Sequence, residues 1–142
     1  MIGVDTNILV RYFTQDDPQQ SQIAEILFDQ YLNKPQSIFI NNIVICELIW
    51  VLDSGYNYSK AQITKTIMQI LSTKEFAFEH HSLLWLSLEL YESGNIDFSD
   101  ALISQLNKSH QCITTYTFDK QAIKLEGFAD LRSFTKQSTH AL

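Results

Sequence analysis

Basic residues are scarce in this chain: ten lysines and arginines stand against sixteen aspartates and glutamates, for a formal charge of −6. That balance argues against a protein that holds nucleic acid chiefly through a broad basic surface. Cysteine is nearly absent. With only Cys46 and Cys112 there is no disulfide framework or zinc spacing, and the apolar run around each predicts a reduced, buried thiol. Four glycines form no phosphate-cradling loop, which argues against a nucleoside-triphosphate enzyme, and no internal repeat, low-complexity tract or linker is present. The longest apolar stretch, Ile43 to Leu52, is about half of what a bilayer requires, and Glu47 interrupts it. Met1-Ile2-Gly3-Val4 runs into Asp5 without a basic or long apolar leader, so the expectation is a soluble, cytoplasmic protein with no membrane role.

What is present is enough apolar material for one core. At 142 residues, 45% hydrophobic and 12% aromatic, the chain reads as a single domain over residues 1–142, with a loose tail from about Thr135. Ile2-Gly3-Val4 predicts a strand, followed by a helix from about Thr6 to Phe13. Asp17-Pro18 is a cap followed by proline at the first helical position, opening a helix to about Leu32. Ser37 to Ile40 reads as a strand, Asn41 or Asn42 caps an apolar helix ending near Gly55, and Ser59 caps another. A short strand at Phe76–Phe78, a helix around Leu83–Tyr91, a helix starting at Asp97 or Ser99, and a strand at Cys112–Thr115 complete the pattern. Strands separated by helices need crossover connections, which predicts an α/β fold with a parallel sheet and helices on both faces.

Acidic residues stand where such a fold collects chemistry. Asp5 follows the first strand, and open parallel sheets bind ligands beyond the carboxyl ends of their strands. An N-cap role for Asp5 or Thr6 is the structural alternative. Glu47 is the one polar residue from Ile43 to Leu52, in a helix apolar enough to be buried on most sides, which predicts that it faces a cation, an arginine or a polar cleft. Asp97 and Asp100 are three apart at a helix start, so both can project from one face, though Asp97 could serve only as the cap. Asp119 follows the last strand, where a turn aspartate is the default reading. These five acids carry five of the six net negative charges. Gathered in one place and ionised, they would require a cation, and an all-oxygen donor set suits magnesium or manganese rather than zinc. Such ions support in-line phosphodiester hydrolysis.

Four motifs carry a family resemblance over almost the whole chain: Val4-Asp5-Thr6-Asn7-Ile8-Leu9-Val10, Cys46-Glu47-Leu48, Asp97-Phe98-Ser99-Asp100-Ala101-Leu102-Ile103 and Thr117-Phe118-Asp119-Lys120. In that order they resemble the PIN-domain nucleases, and most closely the VapC-type toxins of type II toxin–antitoxin pairs. The resemblance implies a three-layer sandwich with a central parallel sheet flanked by helices, and a magnesium- or manganese-dependent endoribonuclease. It implies that Asp5, Glu47, Asp100 and Asp119 are the family acids and catalytic metal ligands, with Asp97 an accessory ligand. Thr6, Asn7 and Thr117 would be polar supports. Water would attack the phosphodiester to leave a 3′-hydroxyl and a 5′-phosphate, a cognate antitoxin protein would block the site, and a homodimer would be the usual assembly. One departure is Ser104-Gln105-Leu106, where many relatives carry small residues.

Arg11, Lys120 and Lys124 follow the acidic motifs at short distances and are the cations placed nearest an RNA backbone, with solvated surface charge as the alternative. Trp50 and Trp85 read as core or dimer contacts. A solitary RNA-processing nuclease and a non-catalytic interaction module are the competing functions. A phosphatase with an early aspartate nucleophile would want a second acid where Asn7 stands, and a phospho-receiver would want paired acids after the first strand.

Overall fold

The computed structural model describes residues 1–134, and the expectation of a loose tail beyond them lies outside the described residues. Two double-helix crossovers build the first half. Strand β1 (Ile2–Gly3) leads to helices α1 (Thr6–Thr14) and α2 (Pro18–Gln30); β2 (Ile38–Ile40) leads to α3 (Asn42–Tyr56) and α4 (Lys60–Leu71); β3 (Phe76–Phe78) follows. The three strands pair in parallel in the order β1–β2–β3, with Ile38 opposite both Ile2 and Phe76. Helices α5 (His81–Ser93) and α6 (Phe98–Ser109) come next, then β4 (Thr115–Thr117) and β5 (Phe128–Asp130), which pair in parallel as a separate ribbon.

This is the expected α/β fold, a parallel sheet flanked by helices. The strands are too short to stand alone, and burial between helices holds them. Ile38 and Ile40 of β2 are buried in one apolar cluster with Leu9, Ile45, Leu48, Leu52, Ile63, Ile67 and Leu84 from four helices. Local signals set the helix starts. Asp17 accepts a hydrogen bond from the Gln20 amide with Pro18 behind it, Asn41 accepts one from the Val44 amide, and Ser59 with Gln62 forms a capping box.

Three sequence expectations need correction. The last predicted strand, Cys112–Thr115, is displaced to Thr115–Thr117. After α6 the chain turns through Gln111 at φ 69°, with the Cys112 amide donating to the Asn107 carbonyl at 3.0 Å, so these residues close the helix instead of extending. That turn also leaves Cys112 exposed, and Cys46 on α3 is half-buried, where two buried thiols were expected. Finally, α3 does not bury Trp50 in the core. It exposes Ile43, Glu47 and Trp50 on one stripe, with Ile43 70% and Trp50 69% exposed, which removes Trp50 from the core. An apolar run does not reveal whether its last face meets protein or solvent.

Among the described residues, no helix is long and apolar enough to cross a membrane.

Candidate functional site

Asp5 and Asp97 hold the N-cap positions of α1 and α6, yet neither side chain folds back to accept a helix amide. Asp17, Asn41 and Ser59, at the same position of other helices, all do. An aspartate N-cap side chain ordinarily satisfies one of the unpaired amides of the first turn. Asp5 and Asp97 are both exposed, so their carboxylates stand at helix N-termini with both oxygens available for other partners.

Around Asp5, the Thr6 hydroxyl donates to Glu47 Oε1 at 2.8 Å, tying the start of α1 to the second turn of α3. Glu47 is therefore held by a hydrogen bond to an exposed site, and the inference from burial that first marked it does not apply. Asp5 and Asn7 open onto a cavity of about 460 Å³ between α1 and α2, with Ile8, Arg11, Ile23 and Leu27 among its walls.

Asp100 lies half-buried in the first turn of α6. Its own burial, and then the negative charges of Asp97 and Asp119, push its carboxyl above the usual carboxylate range. Asp119 reaches this group from the segment after β4. Its Oδ1 accepts the Gln121 amide at 2.8 Å and the Ala122 amide at 3.2 Å, while its own amide donates to Thr117 Oγ1 at 3.0 Å. The turn role foreseen for Asp119 is thus present, with its amide donating to the Thr117 hydroxyl. Helix α3, bearing Glu47, packs against both α1 and α6.

Among the described residues, no three histidine, cysteine, aspartate or glutamate side chains converge closely enough to enclose one metal ion. Asp100 feels the charge of Asp97 and Asp119, but among the described residues the five acids form no closed cage. Nor are they neutralised by protein cations, since the salt bridges among the described residues join Arg11 to Asp16 and Arg132 to Asp130.

The three cations nominated from sequence are placed differently. Arg11 borders the Asp5 cavity, but its guanidinium is engaged by Asp16 at 3.2 Å, Gln20 at 2.7 Å and the Tyr56 hydroxyl at 3.1 Å. Lys120 is exposed beside Asp119. Lys124 turns to Gln121 at 3.4 Å and borders a separate cavity with Gly94 and Asn95. Sequence reasoning missed Arg132, whose guanidinium lies 5.6 Å from the centroid of the Phe118 ring, next to Asp119. The one signal was the aromatic residue preceding that acid.

The chain is similar to a VapC ribonuclease of Aquifex aeolicus (strain VF5), with 24% identity over 131 residues that span 92% of this chain and 96% of that protein. The PIN domain profile matches residues 2–127, and with that extent of match the chain belongs to the PIN domain family.

Proposed function

We propose that the chain is a divalent-metal-dependent endoribonuclease of VapC type, acting as the toxin of a toxin–antitoxin pair. The observation that carries the reading is the pair of helix-start aspartates, Asp5 and Asp97, whose side chains leave their helices unserved beside further acids that no cation among the described residues offsets. Similarity to a protein named as a ribonuclease supports the choice of RNA.

In this reading Asp5, Glu47, Asp100 and Asp119 hold magnesium or manganese, with Asp97 as an accessory ligand. The donor set is oxygen throughout, which fits these ions. Among the described residues no three of these acids converge on one point, so each ion would be held by one or two carboxylates with water completing its shell, the usual habit of magnesium. When bound, the ion supplies an activated water, a polarised phosphoryl oxygen and charge neutralisation at the leaving oxygen. Thr6 fixes the Glu47 carboxylate by its hydrogen bond, Thr117 fixes the backbone that carries Asp119, and Asn7 lines the entrance beside Asp5. Of the cations nominated for the RNA backbone, Lys120 and Lys124 are exposed, whereas Arg11 would first have to leave Asp16, Gln20 and Tyr56. Exposed Ile43 and Trp50 on α3, and Ile23 and Ile26 on α2, give apolar surface for a homodimer contact and for an antitoxin.

The test is cleavage of single-stranded RNA by the purified chain. Activity should need magnesium or manganese, leave 5′-phosphate ends, and vanish in Asp5→Asn protein that remains folded. Cleavage that persists in EDTA would sink the metal mechanism.

A further inference from the structure

Exposure alternates along β4 and just past it. Thr115 and Thr117 are half-buried, whereas Tyr116 and Phe118 are 50% and 59% exposed. Large aromatic rings displayed so openly on a short ribbon gain little for the core. The Phe134 ring stands edge-on to Tyr116, with centroids 5.6 Å apart, and widens the same aromatic face.

Phe118 is also held in place. Arg132 Nη2 donates to the Phe118 carbonyl at 2.8 Å, and the guanidinium lies over the ring. Arg132 Nε in turn lies 3.1 Å from Asp130, the β5 residue opposite Thr117. Two donor groups of Arg132 are thus committed, and among the described residues Nη1 has no partner. An exposed aromatic ring backed by a planar cation is the combination that stacks bases and tracks the backbone of single strands. Phe118 adjoins Asp119, so anything stacked on its ring is brought to the edge of the acidic site.

We propose that Phe118, backed by Arg132, is a stacking platform for a nucleobase of single-stranded RNA, holding the nucleotide beside the phosphate presented to the acids. The proposal rests on the nuclease reading above and adds a base-binding element to it. A protein occupant fits less well, because Phe118 is bordered by Arg132, Asp130 and Lys120. The α3 stripe of Ile43 and Trp50 is the more purely apolar surface.

The test is binding of a labelled, mixed-sequence, single-stranded oligoribonucleotide in EDTA, followed by fluorescence anisotropy, with cleavage in magnesium measured alongside. Phe118→Leu keeps apolar bulk but removes the π-face, and should weaken binding about five- to a hundredfold. Phe118→Trp should bind at least as tightly as the wild type, Arg132→Lys should fall between them, and an abasic oligonucleotide should bind all four alike. If Phe118→Leu binds as the wild type does while the wild type cleaves RNA, the platform fails and the nuclease reading stands. A change of oligomeric state in Phe118→Leu with unaltered RNA binding would likewise overturn it in favour of a protein contact. If the wild type neither binds nor cleaves RNA, both readings fall.

Discussion

Asp17 and Asp97 occupy the same position in two helices and do opposite things. Asp17 bends back to the Gln20 amide and fastens the start of α2, whereas Asp97, like Asp5, leaves its helix amides unserved. The residue type is identical, and so is its preference for the position. What differs is the neighbourhood. Asp97 and Asp119 act on Asp100 electrostatically, while Asp17 sits in a loop beside proline. On the proposed reading, a carboxylate that forgoes a capping hydrogen bond among like-charged neighbours serves a ligand rather than the stability of its helix.

The largest expected effect separates the two kinds of aspartate by activity. If RNA cleavage depends on a bound ion worth several kcal/mol in the transition state, Asp5→Asn and Asp100→Asn should each lower the cleavage rate by at least about a hundredfold. Asp17→Asn, which can still cap, should leave it unchanged. Equal losses in all three would dissolve the distinction.

Metal binding should show the same division in thermal unfolding. At ten times the dissociation constant, manganese or magnesium should stabilise the wild type by about 1.4 kcal/mol. Asp5→Asn protein should gain much less at the same concentration. Matching shifts in the two proteins would mean that the ion binds elsewhere.

A smaller effect reverses the ranking. Asp17→Ala or Ser59→Ala should lower stability by about 1 kcal/mol through the lost cap, a fall in Tm of roughly 3–4 °C for a chain of this size. Asp97→Ala should be neutral or stabilising without metal, because no capping bond is lost and its repulsion of Asp100 is relieved. A loss as large as that of Asp17→Ala would show that Asp97 caps in solution.

Asp16 gives a third case, an acid with a side-chain partner, and the smallest effect. The Tyr56 hydroxyl donates to it and is the main cause holding its carboxyl below the usual range. A depressed carboxyl contributes stability above its unfolded value, near 3.9, and loses that contribution as pH falls through the lower folded value. The Tm difference between the wild type and Tyr56→Phe should therefore be present at neutral pH and shrink on acidification. A difference that grows in acid would contradict the assignment.

The order of elements and the positions of the acids were legible because they depend on local rules. Proline after Asp17, the Ser59–Gln62 pair and the apolar β2 segment each mark a boundary directly. The β4 displacement was not legible, since it follows from a left-handed Gln111 that closes α6 and has no strong sequence signature. The β5 strand was missed because three half-buried residues carry too little periodicity. Glu47 was marked for a reason that proved wrong: it is exposed, and its place beside Asp5 is set by a hydrogen bond from Thr6, a contact across 41 positions. Whether an N-cap aspartate actually caps is a matter of side-chain direction, which residue type does not encode.

The most direct test is a calorimetric titration of manganese into the wild type, Asp5→Asn and Asp17→Asn, each checked for folding by circular dichroism. Binding should be retained in Asp17→Asn and abolished or severely weakened in Asp5→Asn. Wild-type affinity in Asp5→Asn, or an equal loss in Asp17→Asn, would contradict the claim that the free helix-start acids hold the ion.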